Sequence, residues 1–291
     1  MLQPLYPLCD VSRPLEGAYL DLNLHKQADA GNVFIYANYI ASLDGRIALY
    51  DERLGEYTVP KSIANDRDWR LYQELAGQAD VMLTSARYFR QLEKGKAQDL
   101  LPVGSGEKYA DIKAWRETQG LKAQPDVMIL SNSLDIPLTA LEKVQDRKVI
   151  VCTGSTDQTK IQRLAQAGVR VIRAMPSMDE TPQDPSTSPR GYSLASQFTL
   201  PLGVTGAFVQ QSLIDLNYRS AYLIAGPKVH ATFVQAGCVD ELFLTTYFTL
   251  LGGTKVSGLL DADLPKAQSL KLLSSYLDTQ ENQIFQRFQY V

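Results

Sequence analysis

The chain has 291 residues, 45% hydrophobic and 21% charged, with a formal net charge of −3. This is ordinary globular composition, long enough for one large α/β domain or two smaller ones, and it lacks the basic balance of a nucleic-acid binder. No stretch approaches the ~20 apolar residues needed to span a bilayer.

The opening residues, MLQPLYPLCDVSRPLEG, lack the charged-then-apolar order of a secretory signal, so none is expected. Cys9, Cys152 and Cys238 are odd in number and far apart, which suits a reducing, cytoplasmic setting better than a disulfide scaffold. His25 and His230 are the only histidines, and no cysteine stands in C-x-x-C or H-x-E spacing. A zinc centre is therefore not expected, and without a G-x-S-x-G elbow a serine triad is not expected either. A reaction that needs neither a metal nor a histidine base is favoured.

In chain order, residues 1–32 bear prolines and little periodicity and read as an extension packed along the body. Residues 33–291 read as a single domain. Strand-helix alternation begins at VFIYANYIA (Val33–Ala41). DWRLYQELAGQAD (Asp68–Asp80) has Trp69, Leu71, Tyr72, Leu75 and Ala76 at helical spacing. Strands are predicted at about Val33–Ile40, Val81–Thr84, Val127–Leu130, Val149–Cys152, Val169–Ile172, Ala221–Ala225 and Glu241–Tyr247. Helices are predicted over Lys108–Gly120, Ser155–Gly168, Gly206–Arg219 and Pro227–Gly237. Met175–Gly191 is rich in Pro, Ser, Thr and acid, so a mobile loop is expected near 175–203. The tail pairs SLKLLSSYL with NQIFQRFQY as an antiparallel hairpin. The order predicts an α/β fold: a mainly parallel central sheet, helices on both faces, and a C-terminal antiparallel hairpin.

In such sheets ligands bind at the carboxyl ends of the strands. Three ends carry suitable residues. The first is IASLDG, where Ser42, Asp44 and Gly45 interrupt an apolar run; Asp-Gly between apolar runs also predicts a plain hairpin. The second is CTGST, where Thr153 and Gly154 lead into a helix N-terminus suited to phosphate, or to ordinary capping. The third is IAGPKVH, where Gly226 permits close approach, Pro227 pre-sets the helix start and Lys228 adds charge.

ASLDGRIA, ADVMLTSA (Ala79–Ala86), AGPKVHATFVQAGCVDELFL (Ala225–Leu244) and LLGG (Leu250–Gly253) together resemble the reductase domain of bacterial riboflavin biosynthesis, which shares the dihydrofolate-reductase-like fold. The resemblance covers roughly Val33 to Leu260. It implies a homodimer and NADPH-dependent reduction of a ribosylaminopyrimidine in a Schiff-base form. Carried over by position, Ile40 to Asp44 lie beside the nicotinamide and the sugar, with Ser42 and Asp44 as the catalytic pair. Ser62 lies near the nicotinamide. Gly226, Pro227, Lys228, Val229 and His230 cradle the pyrophosphate. Thr153 and Gly154 meet the adenosine half, and Ser131 and Asn132 meet the 2′-phosphate.

Three departures accompany the resemblance. The family's T-x-x-x-D-D-P segment is replaced by Arg87–Lys96, where Arg87 and Arg90 could take over substrate binding with Asn38, or form a solvated helix face. Ile224 stands where a Glu is common, and Ala76 where an Arg is common. They leave two rivals open: a reductase of a pteridine or other imine, and a nucleotide-binding protein without catalysis.

Overall fold

The computed structural model describes residues 1–97, 101, 103–104, 106–174 and 204–291. The loop expected near 175–203 lies outside the described residues. The strands are β1 (Leu2–Tyr6), β2 (Phe34–Ser42), β3 (Ala48–Asp51), β4 (Glu56–Thr58), β5 (Val81–Ser85), β6 (Asp126–Leu130), β7 (Val149–Thr153), β8 (Arg170–Arg173), β9 (Ser220–Leu223), β10 (Glu241–Tyr247), β11 (Val256–Ser257), β12 (Leu270–Asp278) and β13 (Gln283–Tyr290). The α-helices are α1 (Asp66–Gly77), α2 (Ala86–Glu93), α3 (Ala110–Thr118), α4 (Leu138–Leu141), α5 (Gln158–Gln166), α6 (Gly206–Asp215) and α7 (Pro227–Gln235).

Every residue of β6, Asp-Val-Met-Ile-Leu, is buried. That is the pattern of a parallel strand covered on both faces. It sits inside a ten-stranded sheet of order β1-β12-β13-β10-β2-β9-β5-β6-β7-β8. From β10 through β8 all neighbours are parallel; β1, β12 and β13 continue antiparallel. All seven predicted strands lie in this sheet. Apolar side chains of α1 to α5 pack on one face, and those of α6 and α7 on the other. The second layer is tight at Gly206, where a Cβ would come within 2.9 Å of Phe233 Cα and the Thr232 carbonyl. Only glycine lets α6 approach α7 that closely.

The residues ahead of β2 are part of this packing. Leu15, Ala18, Tyr19, Leu20 and Leu24 are buried in the same cluster as α1. Their backbone is held by two polar side chains, Glu74 of that helix and Gln78 at its C-cap. The Glu74 carboxylate accepts the N–H groups of Gly17 (2.6 Å), Tyr19 (2.8 Å) and Leu20 (3.3 Å). The Gln78 amide accepts from Leu24 N (2.8 Å) and donates to Tyr19 O (2.8 Å). These bonds answer the buried-backbone requirement that a segment poor in regular structure must meet.

Two local readings are corrected. The Asp-Gly turn does not make a hairpin, because β3 leaves the main sheet and joins β4 and β11 in a separate three-stranded sheet. The turn is still tight: Gly45 N–H meets Ser42 O (2.9 Å) with Gly45 at φ +74°. Helix α5 begins at Gln158 rather than Ser155, since Asp157 is the cap and accepts Lys160 N–H at 3.1 Å.

Candidate active site

Because β10, β2, β9, β5, β6, β7 and β8 are parallel, their carboxyl ends form one edge. Asp44 follows β2, Gly226 follows β9, Asn132 follows β6 and Gly154 follows β7. From β2 to β7 there are four strand spacings, about 19 Å at ~4.8 Å each. A cleft of about 180 Å³ opens at the ends of β5 and β9, lined by Thr84, Ser85, Arg87, Ile224 and Gly226 with Glu56 of the small sheet.

Ser42 and Asp44 form one tied unit. The Ser42 hydroxyl donates to Asp44 Oδ1 (2.5 Å) and accepts Arg46 N–H (3.0 Å). The same carboxylate accepts the N–H groups of Leu251 (3.1 Å) and Gly252 (2.8 Å). The Ser42 hydroxyl, then the two amides, hold the Asp44 carboxyl down at about 2. Asp44 is thus a fixed anion that fastens the 250–253 loop to the end of β2. Its contribution to stability is present above the usual carboxylate range and is lost as pH falls through about 2. An asparagine there cannot accept from both amides. Asp44→Asn is expected to speed hydrogen exchange at Leu251 and Gly252 and to lower turnover about tenfold by loosening the site. Unchanged exchange at both amides would show that the carboxylate does not hold the loop.

At the third strand end, Gly226 is the N-cap of α7, exposed, with nothing within 4 Å of where a Cβ would stand. Val229 and His230 donate their N–H groups to Gly226 O at 3.0 and 3.2 Å. Pro227 has none to give, so among the described residues the Gly226 and Lys228 N–H groups remain for a ligand. The His230 ring is buried away from this edge. Its Nδ1 lies 3.4 Å from Leu259 O and its Nε2 3.2 Å from the Tyr290 hydroxyl, and burial lowers its pKa to about 4.

Toward β7, the Thr153 hydroxyl is buried and accepts Ser155 N–H (3.0 Å), while Gly154 N–H points to Asn132 Oδ1 (3.4 Å). The Ser131 hydroxyl accepts Leu134 N–H (3.1 Å). Lys160 reaches this loop, donating to Ser133 O and Asp135 Oδ1 at 2.8 Å each. Arg87 and Arg90 separate: Arg87 lines the cleft, whereas Arg90 donates to Asp135 O (3.1 Å) and lines a depression with Lys94 and Arg163. Ser62 is exposed in the turn that leads into α1, and Ile40 stands beside Thr245 in register.

One charged residue of this region escaped the sequence reading. Asp68, in the first turn of α1, has its backbone N–H capped by Asn65 Oδ1 (2.9 Å). Its carboxyl accepts the buried Thr245 hydroxyl at 2.5 Å. Thr245 is the register partner of Ile40, so Asp68 stands over the boundary of β2 and β10. Trp69 and Tyr72 stack at 4.6 Å beside it, and Tyr72 meets Tyr222 at 5.4 Å. Among the described residues the buried Tyr222 hydroxyl has no hydrogen-bond partner within bonding geometry, although the Asn38 amide stands near it. Burial pushes the Asp68 carboxyl up to about 6, against the lowering effect of Thr245. Asp68 nevertheless keeps a partly exposed surface. The sequence signal was its place on the helical stripe Asp68, Leu71, Tyr72, Leu75, an acid where the period calls for an apolar residue.

Among the described residues, no group of three or more His, Cys, Asp or Glu could hold a metal ion, and no helix is long and apolar enough to cross a membrane. No curated protein sequence matches the chain. The solved structures that share its fold include these three. RibD of Acinetobacter baumannii has 21% identity and a TM-score of 0.59 over 90% of this chain, but only 59% of its own length is covered. A pyrimidine reductase-like protein of Corynebacterium diphtheriae has 19% identity and a TM-score of 0.61, with 95% of this chain and 97% of that one covered. The riboflavin biosynthesis reductase of Saccharomyces cerevisiae has 15% identity and a TM-score of 0.54, covering 94% and 99%. The family profile described as RibD C-terminal domain matches residues 33–284, and on that match the chain belongs to the RibD C-terminal domain family.

Proposed function

We propose that the protein is an NADPH-dependent reductase of a ribosylaminopyrimidine of the 5-amino-6-(5-phosphoribosylamino)uracil type, or of a close relative of that substrate. The observation that carries this reading is the common edge on which Asp44, Gly226 and Gly154 follow their strands. The donor set suits a dinucleotide. Gly226 offers an open backbone with the Gly226 and Lys228 N–H groups for a diphosphate, and Lys160 beside Ser133 offers a cation for a 2′-phosphate. When bound, NADPH supplies the reducing equivalent.

The two carboxyls have opposite tasks because their environments drive them apart. Asp44, held ionised, places negative charge at the end of β2, where it favours a protonated imine. Asp68, with its pKa raised to about 6, takes up a proton more readily than an ordinary carboxyl and passes it to the imine nitrogen. Thr245 occupies one Asp68 oxygen, and the other is the one we assign to proton transfer. Ile224 in the cleft, where the family commonly has Glu, supports a paralogue with a changed substrate. The homodimer and cytoplasmic location belong to the same reading and rest on the resemblance and on cysteine usage.

The test is NADPH and NADH titration, followed by oxidation assays with the phosphoribosylaminopyrimidine and its dephosphorylated form. NADPH is expected to bind at least about tenfold more tightly, since one charge-assisted hydrogen bond to the extra phosphate contributes roughly 1.5–3 kcal/mol. Equal affinities would remove the 2′-phosphate contact, and no affinity for either would favour the rival without catalysis.

A further inference from the structure

The cleft between β4 and α2 is lined by two cations, Arg87 and Lys96, and one acid, Glu56. The acid does not belong to the same layer as the cations. It stands on β4 of the small three-stranded sheet, whereas Arg87 and Gln91 stand on α2 beside the main sheet. Glu56 Oε2 accepts from Gln91 Nε2 at 2.7 Å and from Arg87 Nη2 at 3.3 Å, and the same Arg87 nitrogen donates to Tyr57 O at 2.8 Å. One oxygen thus collects both donors across the gap, and the ion pair is long and not bidentate.

The side chains are 47% exposed at Arg87 and 22% at Glu56. A pair of this kind contributes only about 0–1 kcal/mol. A phosphate monoester brings up to two charges and three oxygens to the same donors. Lys96, which makes no ion pair among the described residues, would then gain a partner as well.

We infer that Glu56 is an internal stand-in for a ligand phosphate, which displaces it from Arg87 and Gln91 and so releases the small sheet from α2 when the ligand enters. This rests on the reading above that the cleft receives a phosphorylated ligand. The phosphate could come from the sugar of the substrate or from the dinucleotide, and the chemistry recognised is the same.

Two substitutions separate competition from simple loosening. Glu56→Gln and Arg87→Gln both abolish the Glu56–Arg87 ion pair and leave Gln91 able to bond residue 56, so the effect of losing that pair is shared between them. Their effects on phosphate affinity must differ in sign if Glu56 competes with the ligand. Calorimetric titration of the full chain with ribose 5-phosphate, and separately with NADPH, measures both. Glu56→Gln is expected to tighten binding about 2–5-fold, the worth of one exposed competing charge. Arg87→Gln is expected to weaken it about tenfold or more. Opposite shifts with ribose 5-phosphate assign the phosphate to the sugar, and opposite shifts with NADPH alone assign it to the cofactor. Shifts of the same sign with both probes, or no change in either variant, overturn the inference. Opposite shifts with ribose 5-phosphate in a protein that binds no NADPH would sink the reductase reading and leave the latch standing.

Discussion

Replacing Asp68 with asparagine is expected to leave the protein folded, to lower turnover about 10²–10³-fold, and to make it more resistant to heat at neutral pH. The activity loss follows from removing the one carboxyl of the site whose pKa, about 6, lies close enough to neutral for it to take up and deliver a proton, although it is mostly ionised at pH 7. The amide oxygen of the variant would still accept the Thr245 hydroxyl, so packing is kept while the proton is not. The gain in stability follows from linkage. With its folded pKa raised from the ordinary 3.8 to about 6, Asp68 makes its full contribution below the unfolded value and loses it as pH rises through about 6. The variant should therefore melt higher than wild type above pH 6, by an amount on the order of 1–2 kcal/mol, with the difference fading below about pH 4. Turnover of the wild type should decline as pH rises through the same value, and the variant should lack that limb. A variant with wild-type turnover and an unchanged pH profile would remove Asp68 from the reaction.

The largest stability effect is expected at Glu74. Its carboxylate is fully buried and serves three backbone N–H groups of the segment before β2 together with Arg70 Nε at 2.8 Å. Glu74→Gln keeps the shape but turns an acceptor into an NH₂ group facing donors, and leaves the buried Arg70 with Asp111 alone as its charged partner. Breaking a buried pair in this way costs about 3–5 kcal/mol. For a chain of this size that is a fall in Tm on the order of 6–15 °C. Limited proteolysis should then cut within residues 1–30 before the rest of the chain is attacked. A variant that melts within a degree or two of wild type would mean that the segment is held by its apolar contacts.

The central strands were legible because their signal is local. Val81–Thr84, Val127–Leu130 and Val149–Cys152 are short apolar runs bounded by turns, and each is buried on both faces. The common edge along which Asp44, Gly226 and Gly154 follow their strands came from parallel order alone. What could not be read depends on partners far away in the chain. Asp68 looks like an acid favoured by any helix N-terminus, and its meaning comes from Thr245, 177 residues later. The small sheet was missed because β11 contributes only Val256 and Ser257. The role of β1 was missed because Pro4 reads as a strand breaker, yet β1 lies at the sheet edge, where proline is tolerated. The side-chain direction of His230 was also beyond the sequence, since only the fold shows Tyr290 behind it.

The placement of β2 has a consequence for how the chain reaches this structure. Its neighbours on either side are β9 and β10, and the bond from the Tyr39 hydroxyl to Ala225 O spans 186 residues. By contrast β5, β6, β7 and β8 are adjacent in both sequence and sheet. Contacts so distant must meet their closure entropy before any pairing rewards it, which slows folding. At ~5–20 residues per second, a ribosome needs roughly 10–40 s to deliver the second half of that pairing after the first. During that interval the β5–β8 block can assemble on its own, whereas Val33–Ala41, one of the most apolar runs in the chain, waits without a neighbour. The stretch destined for the middle of the sheet is thus the one most in need of a chaperone while the protein is being made.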